Sequence, residues 1–321
     1  MFKKSISLFL CVCLIIAMTL CLCSCKDAKN DEYPVTIGDV TIEEEPLNIV
    51  VLSDCLADVI SYMGYDVKMV GRSIECDQEF LSIVPSVGSA QSPDVKAIIA
   101  SEADLVITEA SVSKNTKNAL DQAQIPVITL KRADSFENLK TLYAQLGAAL
   151  GGNVSGRATG EGAYDELMTT FSDFENAIPS NVVKTACYLY VDENGTLCTL
   201  TKGTIQHEFF SHCGATNIFS EQEKSEVDLE QLKIGTPAYI FYSDENVLNL
   251  LNADDKLAAI DALTNGNTYQ VKLSDLSRQG RTYEDLCYNM INFMFGKKAT
   301  EDEATPDEEQ TVEETTVGYV S

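Results

Sequence analysis

The sequence predicts an α/β protein of two lobes, each with a mainly parallel sheet covered by helices, joined by a single long linking helix. Three observations lead to this fold class: several apolar runs have strand length without alternation, segments of helical spacing separate them, and one long amphipathic segment lies midway. Unalternating apolar strands are typical of a parallel sheet that is covered on both faces. The 321 residues, 45% of them hydrophobic, suffice for two cores.

In the first half of the chain, apolar runs predict buried strands and the segments between them predict helices. The predicted strands cover residues 47–52, 67–71, 104–108 and 126–130. The predicted helices cover residues 55–63, 95–101, 114–124 and 135–150. Gly64 ends the first of these helices, and Gly151 and Gly152 end the last, because glycine is favoured just past a helix end.

The linking helix is predicted over residues 163–178, with Pro179 after it. Gly156, Gly160 and Gly162 lie near its start, and glycine costs about 1 kcal/mol in a helix interior, so we expect the helix to begin near Ala163. Further strands are predicted over residues 185–191, 196–200, 238–242 and 268–273, with a tight Asn-Gly turn between the first two. Helices are predicted over residues 204–213 and 282–295 and, in pieces, over 247–263.

The first twenty-five residues have the order of a secretory signal. Lys3 and Lys4 precede an apolar stretch over residues 6–24, and Cys25 follows a small residue. This segment resembles a bacterial lipoprotein signal, in which Cys25 becomes the lipidated N-terminus. An uncleaved membrane helix is the alternative, since about 20 apolar residues can span a bilayer. Both interpretations place the rest of the chain at the outer face of the cytoplasmic membrane.

The predicted organisation has six parts. They are a signal peptide (1–25), a flexible polar tether (26–45), an N-terminal α/β lobe (46–152), the linking helix (153–179), a C-terminal α/β lobe (180–296) and an acidic disordered tail (297–321). A tether of about 20 residues could extend roughly 60–70 Å.

Charge and cysteine content narrow the function. The net charge of −26 repels nucleic acid and anionic lipid head groups, so we expect no nucleic-acid partner. Six cysteines follow the signal segment, and none forms a CxxC pair. We expect mostly free buried thiols that pack as small apolar residues, and Cys55–Cys76 is the first disulfide to test.

No motif predicts catalysis or a metal site. His207 and His212, the only histidines, are five residues apart and differ by about 140° in direction on a helix, so they cannot ligate one zinc ion together. The glycines near residue 156 lack the strand and the Gly-Lys-Ser/Thr of a phosphate loop, and no GxSxG elbow occurs. We expect no enzyme, no catalytic residue and no cofactor.

Several segments together resemble the substrate-binding lipoproteins of ABC importers for iron-siderophore, heme and cobalamin. The opening strand over residues 46–53 (PLNIVVLS), the run PSVG (85–88) before a helix and ADLVI (103–107), and GATNIF (214–219) carry the resemblance. It covers about residues 46–295. It implies two α/β lobes with a ligand cleft between them, and docking on a permease that works with an ATPase.

The resemblance also implies candidate site residues. Docking in this family uses one carboxylate on each lobe. The second matches Glu230, whereas the first falls on Lys96, and Asp94, two residues earlier, is the expected substitute. The cleft is expected at the carboxyl ends of the parallel strands, where loops converge. That places ten ligand-binding candidates near it: Ser53, Arg72, Glu75, Glu109, Lys131, Lys202, His207, Asp275, Arg278 and Arg281.

The ligand stays open at this point. The basic candidates offer cations to an anionic ferric siderophore, which is the first expectation. Heme would need a Tyr or His ligand, for which His207, Tyr188 or Tyr190 could serve. Positions that carry aromatic rings in cobalamin binders hold Glu75, Ala90 and Glu109, which argues against cobalamin. A membrane-anchored sensing module without transport is the alternative from another class, and a hydrolase comes third.

Overall fold

The computed structural model describes residues 31–180 and 182–296, so the signal segment with Cys25 and the acidic tail lie outside it. The described chain divides into two compact units. The first contains the chain up to Arg132 together with Lys140–Tyr164, and the second contains Ala133–Leu139 and the chain from Asp165 onward. Within the described ranges, no helix combines the length and the hydrophobicity that crossing a bilayer requires.

The first unit is built on a parallel sheet of four strands. The strands described in this unit are β1 (Val35–Ile37), β2 (Val40–Ile42), β3 (Ile49–Leu52), β4 (Met69–Arg72), β5 (Leu105–Thr108) and β6 (Val127–Thr129). The sheet order is β4-β3-β5-β6 with every pair parallel, while β1 and β2 form a separate antiparallel hairpin. Every residue of β3 and β5 is buried, which explains why these strands show no alternation.

Helices connect these strands. They are α1 (Asp54–Tyr62), α2 (Val95–Ala100), α3 (Lys114–Gln122), α4 (Phe136–Gly151) and α5 (Arg157–Ala177). The first three begin at a side-chain cap, supplied by Ser53, Asp94 and Ser113, whose oxygens accept backbone N–H groups of the first turn. Short 3-10 turns cover Asp66–Lys68 and Glu79–Leu81. The chain passes from the first unit to the second within α5.

The long helix α5 begins six residues earlier than predicted, at Arg157 instead of Ala163. A π-helical turn, Gly152–Gly156, joins it to α4. A Cβ atom at Gly160 would lie 2.7 Å from the carbonyl carbon of Tyr143, and one at Gly147 would lie 2.9 Å from the backbone nitrogen of Gly160. These glycines therefore allow α4 and α5 to pack backbone against backbone, and that packing outweighs their poor helix propensity.

Residues 31–45 are ordered, which differs from the predicted flexible tether. The hairpin β1–β2 buries Val35 and Ile42. The Glu32 carboxylate accepts hydrogen bonds from Val154 N (2.9 Å), from Ser155 N (3.0 Å) and from the Ser155 hydroxyl. Glu32 thereby binds the π-helical turn that follows α4, where the N–H groups at the start of the turn lack helical partners. The polar composition concealed this order because Glu32 makes its contacts with residues more than 100 positions away in the sequence.

The second unit has a mixed but mainly parallel sheet. Its strands are β7 (Lys184–Val191), β8 (Leu197–Thr199), β9 (Ala215–Asn217), β10 (Tyr239–Tyr242) and β11 (Thr268–Gln270). The order is β11-β10-β7-β8, with β9 also paired to β7, and only the β7–β8 pair is antiparallel. Gly195 takes a φ of 80° in the predicted turn between β7 and β8, where the Asp192 carboxylate accepts from Asn194 N and Thr196 N.

Six helices cover this sheet, together with a 3-10 turn at Asp275–Ser277. They are α6 (Ile205–His212), α7 (Leu229–Gly235), α8 (Glu245–Asn252), α9 (Asp255–Ala258), α10 (Asp261–Thr264) and α11 (Arg281–Phe295). An aromatic cluster of Phe136, Phe171, Phe209 and Tyr283 packs beside them, and the rings of Phe209 and Tyr283 stack with centroids 4.3 Å apart. With two such units and the long helix α5, the predicted fold class is confirmed.

The six described cysteines are free and buried, as expected of thiols that pack as small apolar residues. Burial raises the pKa of the Cys76 thiol to about 11, and the Cys76 sulfur is 3.4 Å from the Ser73 hydroxyl. Cys55 and Cys76 do not form the disulfide that was first to be tested. All six thiols are therefore shielded from solvent, and the raised pKa keeps the Cys76 thiol protonated at neutral pH.

Candidate functional site

A cavity of about 370 Å³ opens at the carboxyl edge of the parallel sheet in the first unit. Loops that follow β3, β4, β5 and β6 meet there, because parallel strands all end at the same edge. The cavity is lined by Leu52, Ser53, Asp54, Glu75, Ala90, Gln91, Thr108, Glu109, Ala110, Ser111 and Arg132. Its volume lies within the usual range of small-molecule sites.

An ion pair between Glu109 and Arg132 organises the cavity. Arg132 Nη2 donates to Glu109 Oε2 at 2.9 Å, and Arg132 Nε donates to Glu109 Oε1, so the pair is bidentate. Arg132 Nη2 also lies 3.6 Å from Asp54 Oδ1. Burial by itself would raise the pKa of Glu109, but the hydrogen bonds and charge of Arg132, with a further hydrogen bond from Ser53, hold that pKa below its usual value. The hydrogen bond to Glu109 correspondingly raises the pKa of Arg132.

Ser53 couples this ion pair to the backbone of α1. Its hydroxyl donates to Glu109 Oε2 at 2.9 Å, and its Oγ accepts from Leu56 N at 3.2 Å as the N-cap of the helix. Strand β3 ends directly before Ser53, so the sheet edge fixes the position of the hydroxyl. The Glu109 carboxylate is therefore held from two sides.

Glu75 stands on the loop after β4. Its side chain is exposed, and its Oε2 accepts from Ala90 N at 3.1 Å, which ties two cavity-lining loops together. The cavity lining thus carries three acidic side chains and one guanidinium, a formal charge of −2. Within the described ranges, no group of three or more His, Cys, Asp or Glu side chains is arranged to hold a metal ion.

A sequence profile described as periplasmic binding protein matches residues 49–275. The chain belongs to the periplasmic binding protein family. This confirms the family expected from the sequence, and it covers the main sheets of both units. No curated protein matches the chain.

Solved structures of this family share the fold. A periplasmic heme binding protein from Pseudomonas aeruginosa is 19% identical with a TM-score of 0.61, covering 78% of this chain and 94% of that chain. A periplasmic binding protein from Veillonella parvula is 16% identical with a TM-score of 0.62, covering 83% and 98%. A vitamin B12 binding protein from Vibrio cholerae is 20% identical with a TM-score of 0.54, covering 80% and 98%.

In the first unit of this periplasmic binding protein, three of the five predicted ligand contacts line the cavity: Ser53, Glu75 and Glu109. Arg72 does not, because its Nε donates to Leu81 O at 3.0 Å and its Nη1 to Ser73 O at 3.3 Å. Lys131 is exposed outside the lining.

Arg132, rather than Lys131, is the basic residue of the cavity, and it was missed from the sequence. It could have been identified by continuing the alternation of side chains in strand β6, which has a period of two residues, beyond the end of the strand. Leu130 is buried, Lys131 is exposed and Arg132 returns to the side of Leu130, with its side chain 36% exposed.

The second unit holds the remaining ligand candidates, which form separate contacts. Lys202 Nζ pairs with Glu221 Oε2 at 2.6 Å on the surface. His207 Nδ1 lies 3.2 Å from Asn217 Nδ2, which joins α6 to the end of β9. Each residue thus has a local partner in its own unit.

Asp275 and Arg278 are brought together by an ion pair of 2.7 Å. The Arg278 side chain is enclosed, with the residue only 4% exposed, whereas Arg281 is exposed in the first turn of α11. Tyr188, the candidate heme ligand, is fully buried and donates its hydroxyl to Val271 O at 2.9 Å. The ligand-binding roles of these residues stay predictions.

The two docking candidates differ in their local contacts. Asp94 is the N-cap of α2, where its Oδ1 accepts from Lys96 N and Ala97 N. Glu230 lies in the first turn of α7 with its side chain 77% exposed and Lys233 Nζ 3.2 Å away. Asp228 caps α7 instead. Glu230 is therefore accessible to a partner protein, while the Asp94 carboxylate already has a structural role.

Proposed function

We propose that this protein is the solute-binding lipoprotein of an ABC importer, anchored through Cys25 at the outer face of the cytoplasmic membrane. It captures an iron complex, first of all a ferric siderophore, and delivers it to a membrane permease served by an ATPase. The observation that carries the proposal is the open, hydrogen-bonding cavity at the sheet edge of a chain that belongs to the periplasmic binding protein family.

Two other ligands are less well supported by the cavity. Heme needs an axial ligand such as Tyr or His, and neither is among the described residues that line the cavity. Cobalamin is disfavoured because Glu75, Ala90 and Glu109, which replace the aromatic positions of cobalamin binders, all line it. Hydrogen-bonding side chains such as Ser53, Ser111 and Gln91 suit the polar periphery of a siderophore better.

Calorimetric titration of the chain from Lys26 onward against ferric siderophores, heme and cobalamin tests the ligand. We expect a siderophore to bind with a dissociation constant in the micromolar range or tighter. A failure of every iron complex to bind would refute the proposal. For the anchor, labelling of cells with a radioactive fatty acid should modify the full chain but not its Cys25→Ser variant, and equal labelling would exclude Cys25 as the lipidation site.

The docking role of Glu230 is part of the proposal. Charge reversal in Glu230→Arg should reduce uptake of the ligand by cells while leaving its affinity for the purified protein intact, because Glu230 is exposed and is not among the residues that line the cavity. Glu226→Arg, which reverses another exposed carboxylate just before α7, is the matched control. Uptake unchanged by Glu230→Arg would favour the alternative, an anchored sensing module that does not dock on a permease.

A further inference from the structure

The cavity is acidic, although the sequence led us to expect cations for an anionic ligand. Of the four charged side chains in the lining, only Arg132 is basic. Arg72 and Lys131, the two other basic candidates of this unit, are not in the lining. The charge at the cavity is thus opposite in sign to the one expected.

The charge of the single guanidinium is already balanced by carboxylates. Two of its nitrogens, Nε and Nη2, donate to the Glu109 carboxylate, and Nη2 also faces Asp54 at 3.6 Å. An incoming anion would have to compete with these carboxylates for the charge of Arg132. Removing one partner from a partly buried ion pair leaves the other charge uncompensated, which makes that exchange unfavourable.

Glu75 is in a different position. Its carboxylate is exposed at the cavity, accepts one hydrogen bond from Ala90 N, and forms no ion pair within the described residues. Its charge is therefore not balanced by a neighbouring cation. A carboxylate of this kind suits a ligand that brings a positive charge of its own.

Ferric chelates differ in charge according to their iron-binding groups. Three hydroxamates neutralise ferric iron, so a trihydroxamate with a free amine is a cation at neutral pH. Three catecholates give a trianion. We infer that the cavity selects iron chelates that are neutral or cationic, with Glu75 as the carboxylate that receives a protonated amine of the chelate. This inference rests on the proposed function and specifies the charge class of its ligand.

Two chelates that differ by one charge provide the test. Ferrioxamine B carries a free ammonium group, and its N-acetyl derivative is the neutral equivalent with the same iron centre. Calorimetric titration should give about tenfold tighter binding of the cation, as Coulomb's law predicts for unit charges ~6 Å apart at an effective dielectric constant of roughly 40. The trianionic ferric enterobactin should bind more weakly than either.

Glu75→Gln identifies the residue responsible. The amide still accepts from Ala90 N, so the loop contact is retained while the charge is lost. We expect the variant to lose most of the tenfold preference and to bind the acetylated chelate within about twofold of the parent. Glu79→Gln removes an exposed carboxylate that is outside the lining, and it should retain the preference.

The outcomes separate the two proposals. Equal affinity for the cationic and neutral chelates, or tightest binding of the catecholate, would overturn the charge inference while leaving the proposed function in place. A preference that survives in Glu75→Gln would refute the role of Glu75. If no iron complex binds, these three chelates and heme included, the proposed function itself is refuted and the charge inference falls with it.

Discussion

The close approach of α4 and α5 can be tested with two glycines of the same helix. Gly160 is buried, and a Cβ atom there would lie 2.7 Å from the carbonyl carbon of Tyr143 and nearer still to its oxygen. Gly162, two residues on, is exposed, and a Cβ atom there would have nothing within 4 Å. Alanine substitution therefore adds the same methyl group in opposite environments.

The expected changes in stability have opposite signs. For Gly160→Ala, overpacking costs about 3 kcal/mol, because backbone atoms must move apart, and the better helix propensity of alanine recovers about 1 kcal/mol. The net loss of about 2 kcal/mol corresponds to a Tm lower by roughly 4–8 °C in a domain of this size. For Gly162→Ala only the propensity gain remains, which should raise Tm by roughly 2–4 °C.

Thermal unfolding followed by circular dichroism measures both variants. Gly147→Ala tests the same contact from α4, because a Cβ atom at Gly147 would lie 2.9 Å from Gly160 N. It should lower Tm as Gly160→Ala does. A Gly160→Ala protein as stable as the parent would show that the two helices do not pack backbone against backbone, and the explanation for the early start of α5 would be wrong.

Three further predictions concern the cavity, the thiols and the N-terminal contact. Because the folded-state pKa of Glu109 is depressed, its ion pair stabilises the protein fully above about pH 4.3, and this stabilisation is lost as pH falls through the folded pKa. Arg132→Met should therefore be less stable than the parent at pH 7 in urea denaturation, and the difference in unfolding free energy should narrow below about pH 4.3. A difference that stays constant with pH would contradict the assigned cause. Iodoacetamide should not modify the cysteines of the folded chain from Lys26, because all are buried and Cys76 has a pKa of about 11. Intact-mass spectrometry measures the modification, and alkylation before unfolding would show that the thiols are accessible to solvent. Glu32→Ala should accelerate amide hydrogen exchange at Ser155 and its neighbours, while exchange in the sheet serves as the control; unchanged exchange there would disprove the contact.

Most of the elements could be predicted from local pattern. Strands such as β5 and β10 are within a residue or two of their predicted bounds, because continuous apolar runs report burial on both faces. The start of α5 could not be predicted, since Gly160 is explained by its contact with Tyr143 and not by its neighbours in sequence. Helix propensity alone therefore placed the boundary too late.

The candidate site was only partly predictable for a related reason. The rule that loops at the carboxyl edge of a parallel sheet converge identified Ser53, Glu75 and Glu109 as residues of one region, and all three line the cavity. The rule does not say which side chain of a loop points inward, so Lys131 was chosen over Arg132. Arg132 lowers the negative formal charge of the cavity lining from −3 to −2, and the three carboxylates fix its sign.

The contact of Glu32 with the π-helical turn before α5 shortens the segment that could connect the folded protein to a lipid anchor. If Cys25 carries the lipid, the segment from anchor to contact is seven residues and can extend no more than about 25 Å, instead of the roughly 60–70 Å of the predicted tether. The volume that the binding protein can search scales with the cube of this length, so it falls by roughly twentyfold. A binding protein on so short a tether therefore encounters a permease next to its anchor far more often than a permease farther away in the membrane.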